Sequence, residues 1–283
     1  MKLVSFSHQG TASYGVVVGS GVIDVAPIAA EVGATLREAL ERGSVGAIKE
    51  WAFAQEPDVA LEDITFLPAI PDPRKIFCVG INYRTHVEEA GREIPARPMI
   101  FTRFADSQAA HLQPIIRPRV SEKLDFEGEL AVVIGKTARH VKAADALKHV
   151  AGYSCYNDGS VRDWQKHTIQ FTPGKNFPST GGFGPWLVTT DEIPDPSRLT
   201  LTTRLNGAVV QHATTDDLIF DTGTLIEYLS TFTTLYPGDV IITGTTGGVG
   251  AFRQPPLWMK PGDVVEVEIS SIGILRNTVV DEA

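Results

Sequence analysis

Apolar residues along this chain recur mostly in short runs, the pattern of strands rather than long helices. Near the N-terminus, Leu3 to Phe6 and Gly15 to Val18 read as strands. Gly19-Ser20-Gly21 then turns the chain into Val22 to Val25, which predicts a hairpin. Leu36 to Glu41 and Val45 to Phe53 carry apolar residues at helical spacing. A passage with Pro68, Pro71 and Pro73 reads as a linker, dividing a small α+β N-terminal domain, residues 1–70, from a larger one, residues 71–283. In the second part, Lys75 to Gly80, Pro98 to Arg103, Leu130 to Ile134 and Ala151 to Asp158 read as strands. Asn82 to Gly91, Ala143 to Val150 and Val161 to His167 read as short helices or turns. Asn206-Gly207 joins Leu199–Leu205 to Ala208–His212 in a second hairpin. Thr222 to Leu235 is the best helix, with Leu225, Ile226, Leu229 and Phe232 on one face and Asp221 or Thr222 as its cap. Pro237-Gly238-Asp239 and Pro261-Gly262-Asp263 each open a valine-rich strand. Regular strand–helix alternation is missing, so the fold class is mixed α+β and β-rich, a roll or barrel rather than a doubly wound sheet.

Composition adds bounds rather than chemistry. The 283 residues are 43% hydrophobic and 21% charged, as in ordinary globular proteins. A formal net charge of -9 argues against nucleic acid as a partner. Cys78 and Cys155 sit inside apolar runs and read as buried thiols with no disulfide framework. Met1 to Ser7 is too polar for a signal peptide, and no apolar run approaches spanning length, so the expectation is a cytoplasmic protein with no membrane partner.

The chemistry gathers around Asp125-Phe126-Glu127-Gly128-Glu129. Alternate residues of a strand share a side, so Glu127 and Glu129 lie together where the strand turns apolar. A solvated strand end tolerates such a pair, but a second acid, Asp158, ends the strand-like run Tyr153 to Asn157. Three converging carboxylates repel one another and raise one another's pKa, a cost that a divalent cation removes. An all-oxygen donor set suits Mg²⁺ or Mn²⁺, with Ca²⁺ behind them, whereas zinc prefers His and Cys.

Other motifs carry two readings each. His86 and Glu89 are one helical turn apart, as an exposed surface pair or as an imidazole oriented by a carboxylate for general-base work. Lys175, in Thr172-Pro173-Gly174-Lys175-Asn176, is either a solvated loop lysine or a partner for a substrate carboxylate or enolate oxygen. Arg162-Asp163 reads as a plain helix ion pair. Gly244 to Gly250 tempts a dinucleotide-loop reading, but Arg253-Gln254-Pro255-Pro256 follows instead of a helix; a backbone loop shaping a small anionic pocket fits better.

Taken together, GINYRTHVEEAG, DFEGELAVVIG, GYSCYNDGSVRDWQ, TPGKNF, GDVIITGTTGGVG and PGDVVEVEISSIGILRN resemble the fumarylacetoacetate hydrolase superfamily across residues 75 to 280. The resemblance implies that family's mixed β-sandwich roll after a small N-terminal domain, and a homodimer. It implies Mg²⁺ or Mn²⁺ on Glu127, Glu129 and Asp158, and a catalytic dyad of His86 and Glu89 on a lid. It places Lys175, Thr245, Gly244 and Arg103 at or near the substrate. Two positions depart from the family pattern: Arg103 stands where many members carry lysine, and Thr246 replaces the proline of TGTP. The reaction it implies first is metal-dependent hydrolysis of a carbon–carbon bond in a 2,4-dioxo acid such as fumarylpyruvate, giving pyruvate and a carboxylic acid. Decarboxylation or tautomerisation of oxaloacetate, or hydration or isomerisation of a 2-oxo-enoic acid in aromatic catabolism, would use the same residues.

Overall fold

The acidic strand lies inside a wide sheet, and its alternation shows why its apolar run is unbroken. In the computed structural model, which describes residues 1–283, the strand Gly128–Ile134 is buried along its whole length. Leu130, Val132 and Ile134 enter one core, while Ala131 and Val133 enter another on the opposite face. Covering both faces removes the polar alternation that a half-exposed strand would show.

The sheet has 12 strands. Its main path runs Val59–Ala60, Gly21–Asp24, Thr11–Val18, Lys2–His8, Gly181–Thr189, Val150–Asp158, Gly128–Ile134, Val240–Thr245, Ile76–Gly80 and Met99–Arg103. A 5-stranded sheet packs against it, built from Ala208–Thr214, Thr200–Leu205, Val264–Ile269, Gly273–Asp281 and Ile115–Arg117. Helix Thr222–Phe232 joins this second layer through Leu225, Ile226 and Leu229, and Asp221 caps it by accepting the Thr224 N–H at 2.7 Å. The architecture is the β-rich α+β roll that the sequence predicts.

The N-terminal hairpin continues the main sheet. Lys2 pairs with Val188 and Leu3 with Leu187, antiparallel. Leu3, Val16, Leu36 and Ile48 share one core with Ile76, Ala131, Phe183 and Val240. Sheet and core therefore run across the proline-bearing segment that links the two parts in sequence. The Asn206-Gly207 turn takes φ of 52° and 80°, as a tight hairpin demands. No helix is long and apolar enough to cross a membrane.

Candidate active site

The two strands carrying the acids are neighbours. Glu129 lies opposite Tyr156, and the Asp158 N–H donates to the Glu127 carbonyl at 2.8 Å. This register brings carboxylate oxygens of Glu127, Glu129 and Asp158 within 4.8 Å of one another, all buried. Three cations surround them. Lys175 Nζ donates to Glu127 Oε2 at 2.7 Å, to Asp158 Oδ2 at 2.6 Å and to the Asp158 carbonyl at 3.2 Å. Arg103 Nη1 donates to Asp158 Oδ1 at 2.7 Å. Arg162 Nη2 lies 2.6 Å from Glu127 Oε1, close in charge though poorly aligned as a hydrogen bond.

The charge does not balance evenly. Burial alone would raise the Glu127 pKa, but Lys175 and Arg162 outweigh it and hold that carboxyl at about 2. Burial raises Glu129 well above its ordinary value, and the Asp158 and Glu127 charges push the same way. Glu129 receives the Gly244 N–H but no cation. A buried carboxylate beside two others, itself without a counter-charge, is the feature a divalent cation would complete. The donors are all carboxylate oxygens, so the residues fit Mg²⁺ or Mn²⁺, with Ca²⁺ behind them, and not zinc.

The second element of the site is the short helix Arg84–Glu89, which follows the strand Ile76–Gly80. Asn82, fully buried, anchors the connection: its Nδ2 donates to the Thr243 and Phe220 carbonyls and its Oδ1 accepts the Phe220 N–H. One turn on, His86 Nδ1 lies 3.3 Å from Glu89 Oε2. Both Glu89 oxygens also accept the Gly248 N–H at 3.0 Å. A carboxylate beside Nδ1 assigns the proton to that nitrogen and leaves Nε2 basic. The His86 ring is buried and lies 5.7 Å from the Phe252 ring.

A cavity of about 600 Å³ joins the two elements. His86, Glu127, Glu129, Lys175 and Thr245 all line it, with an apolar belt that includes Met99, Phe101, Phe171 and Phe252. Lys175 is only 1% exposed, so the solvated-loop reading fails; the lysine is drawn inward by the carboxylates it neutralises. Thr245 Oγ1 donates to the Gly128 carbonyl at 3.0 Å and accepts from Gln211 at 2.8 Å.

Arg103 and Gly244 do not line the cavity. The Arg103 guanidinium sits behind Asp158, bonded also to the Gly159 carbonyl and to Thr180 and Ser107. It positions a carboxylate rather than meeting a substrate. Gly244, at φ 109°, brings its N–H to Glu129; a Cβ there would meet Asn82 Cβ at 2.7 Å. Four N–H groups of the loop from Gly244 onward are already committed to carboxylates of the fold. Gly244 serves Glu129, Gly248 serves Glu89, and Gly250 and Ala251 serve Asp125 at 2.8 and 2.9 Å.

The reading of Arg162-Asp163 as a plain helix ion pair is also corrected. Arg162 is buried, lines the cavity, and bridges Asp125 (2.8 Å) and Glu127, while Asp163 accepts from Ser121. Asp125 and the cavity-lining Gln165, which accepts from Arg162 at 2.9 Å, escaped sequence reasoning. Both stand inside the motifs already quoted; Asp125 meets partners distant in the chain, whereas Gln165 lies one helical turn from Arg162 and follows it inward.

Comparison with known proteins agrees with this geometry. The model of the family Fumarylacetoacetate (FAA) hydrolase C-terminal matches residues 75–280. Oxaloacetate tautomerase Fahd2a, mitochondrial, of Rattus norvegicus is 41% identical over 290 aligned positions, covering 99% of this chain and 92% of that protein. Among solved structures, fumarylacetoacetate hydrolase from Exiguobacterium antarcticum superposes with a TM-score of 0.84 at 35% identity, covering 100% of both chains. Maleylpyruvate hydrolase from Sphingobium sp. SYK-6, in complex with manganese(II) and pyruvate, superposes with a TM-score of 0.83 at 27% identity, again covering 100% of both.

Proposed function

The chain belongs to the fumarylacetoacetate hydrolase family, and from that premise we propose that it is a metal-dependent tautomerase of oxaloacetate, interconverting keto and enol forms. The observation that carries the reading is full-length likeness to a protein named for that activity, joined to an imidazole and two of the three clustered carboxylates, Glu127 and Glu129, on one cavity. It displaces acylpyruvate hydrolysis as the first choice.

Glu127, Glu129 and Asp158 would hold Mg²⁺ or Mn²⁺. When bound, that cation supplies Lewis-acid polarisation of a 2-oxo group. His86 Nε2 removes a proton from C3 of the acid. The C–H electron pair becomes the C2–C3 double bond, and the 2-oxo oxygen takes up the charge. The imidazolium returns the proton to that oxygen, completing the enol without net consumption of water. Glu89 keeps the ring in one tautomer and orientation. Lys175 pairs with Glu127 and Asp158, and Phe252 and Phe171 limit water at the reacting carbons.

A second reading keeps the hydrolase chemistry, with His86 activating water against a distal carbonyl. The pyruvate bound to the maleylpyruvate hydrolase neighbour favours it. One experiment separates the two. Decay of the oxaloacetate enol band is followed with metal-stripped protein and with Mg²⁺ restored, beside an acylpyruvate cleavage assay. Metal-dependent acceleration of the decay with no acylpyruvate cleavage supports the tautomerase. Cleavage of acylpyruvates without enol decay replaces it with the hydrolase.

A further inference from the structure

Gly128 separates the two acids Glu127 and Glu129, so the setting of its peptide groups fixes how those carboxylates converge. The neighbouring strand does not support this point with a regular ladder. Glu129 pairs with Thr245 and Ala131 with Ile242, so Thr243 and Gly244 stand opposite the single Leu130. Such a bulge bends a strand and re-aims its side chains, here beside the acids. The ladder ends at the Glu129–Thr245 pair, and at the next position a side chain from the other sheet takes over.

That side chain is Gln211, buried on the strand Ala208–Thr214 of the 5-stranded sheet. Its Oε1 accepts the Gly128 N–H at 2.9 Å, and its Nε2 donates to the Thr246 carbonyl at 2.9 Å and to Thr245 Oγ1 at 2.8 Å. The backbone partners settle which end of the amide is which, because an N–H only donates and a carbonyl only accepts. With its lone pair taken by Gln211, the Thr245 hydroxyl gives its own proton to the Gly128 carbonyl at 3.0 Å. Both polar groups of Gly128 are thus held, one by Gln211 and one by the hydroxyl that Gln211 orients. The sheets approach closely here: a Cβ on Gly128 would meet Thr203 Oγ1 at 2.0 Å. Gln211 does not line the cavity. We propose that it is a positioning residue for the cation site, setting the spacing of Glu127 and Glu129 through Gly128 and, with it, the preference for Mg²⁺ over the larger Ca²⁺. An ion that demands near-ideal octahedral geometry at about 2.0–2.1 Å suffers more from a misplaced carboxylate than one that accepts a flexible shell at about 2.3–2.6 Å. The inference rests on the reading of Glu127, Glu129 and Asp158 as ligands of a divalent cation.

The test is calorimetric titration of the metal-stripped full chain with Mg²⁺ and, separately, with Ca²⁺. Gln211→Met keeps the length of the side chain and loses its amide. Mg²⁺ binding to this variant is expected to weaken about tenfold, the scale of losing a group that orients a ligand. Ca²⁺ binding should weaken about threefold or less, so the Mg²⁺/Ca²⁺ affinity ratio falls at least about threefold. Thr245→Val removes only the hydroxyl that reaches the Gly128 carbonyl and should shift the ratio the same way, which decides the matter even where the methionine variant fails to fold. Thr245→Ser keeps the hydroxyl and should hold the wild-type ratio. Affinities for the two ions that fall by one common factor, or do not fall, overturn the positioning role alone. Wild-type protein that binds neither ion overturns the ligand reading, and this inference with it.

Discussion

Asp217 Oδ2 accepts two hydrogen bonds from Thr85, one from the backbone N–H at 3.1 Å and one from the hydroxyl at 2.7 Å. Thr85 lies in the first turn of the helix that carries His86 and Glu89, and Tyr83, at the N-cap position, supplies no side-chain cap. A residue 132 positions away therefore caps the dyad helix. At the other end, Gly248 holds Glu89. The helix is gripped at both ends by loops of the sheet layers, which sets the imidazole's height above the carboxylates.

Removing the first grip should displace the base without touching it. Asp217→Ala is expected to lower kcat about tenfold with KM nearly constant, since small misplacements of a catalytic group are costly. Asp217→Asn keeps an acceptor oxygen and should restore most of the rate. Steady-state kinetics of the two variants decide the matter: equal rates in Ala and wild type would mean that Gly248 alone seats the helix.

Glu129 is the carboxylate left without a counter-charge, and its pKa is raised by burial and by its acidic neighbours. An acid raised in the folded state loses native-state advantage as pH climbs through that raised value. In metal-free protein, Glu129→Gln should therefore raise the melting temperature at neutral pH. Mg²⁺ at a hundred times its Kd should add about 2.7 kcal/mol to the wild type, or several degrees, and almost nothing to the variant. Melting curves with EDTA and with Mg²⁺ test both halves; equal metal-induced shifts in the two proteins would remove Glu129 from the ligand set.

The contrast between these residues shows what a sequence can disclose. Glu127 with Glu129, and His86 with Glu89, are pairs whose partners stand two or three positions apart, so strand and helix periodicity alone bring them together. Asp158 could be linked to them because its own strand ends in an acid. Arg162 with Asp125, Thr85 with Asp217 and Glu89 with Gly248 are separated by 37, 132 and 159 positions. Local rules carry no register between such segments, so Arg162 reads as a plain helix ion pair with Asp163 and the glycine loop as a backbone loop shaping a small anionic pocket. The β-rich class was legible because strand and turn signals are local. That the N-terminal hairpin extends the central sheet was not, since Leu3 meets Leu187 only through tertiary pairing.

Arg103 offers a stability test of the same network. Its side chain and that of Asp158 are both fully buried. Arg103→Met should cost about 3–5 kcal/mol, because a buried carboxylate loses one of its partners. Arg103→Lys keeps the charge but loses the fork that also reaches Thr180 and Ser107, at about 1–2 kcal/mol. Urea unfolding of both variants measures the difference. A loss below about 1 kcal/mol for the methionine variant would mean that Lys175 alone suffices for Asp158.

His111 provides a pH probe far from this chemistry. Burial, helped by the Arg276 charge, lowers its pKa from 6.5 to about 4. Its Nδ1 accepts the Arg276 N–H at 3.1 Å, and its ring meets Phe66 edge-on at 4.7 Å, both suited to neutral imidazole. A histidine with a depressed folded pKa contributes stability that is present above pH 6.5 and lost as pH falls toward 4, because the unfolded chain binds the proton first. The loss amounts to at most about 3 kcal/mol over that window. Asn at this position offers an acceptor oxygen without a proton to gain, so His111→Asn should flatten the acid branch of the stability curve. The comparison must be between the two slopes. Asp125 and Glu129 have raised values and change stability in the opposite sense, equally in both proteins. Parallel slopes between pH 6.5 and 4 would show that His111 carries none of the acid sensitivity.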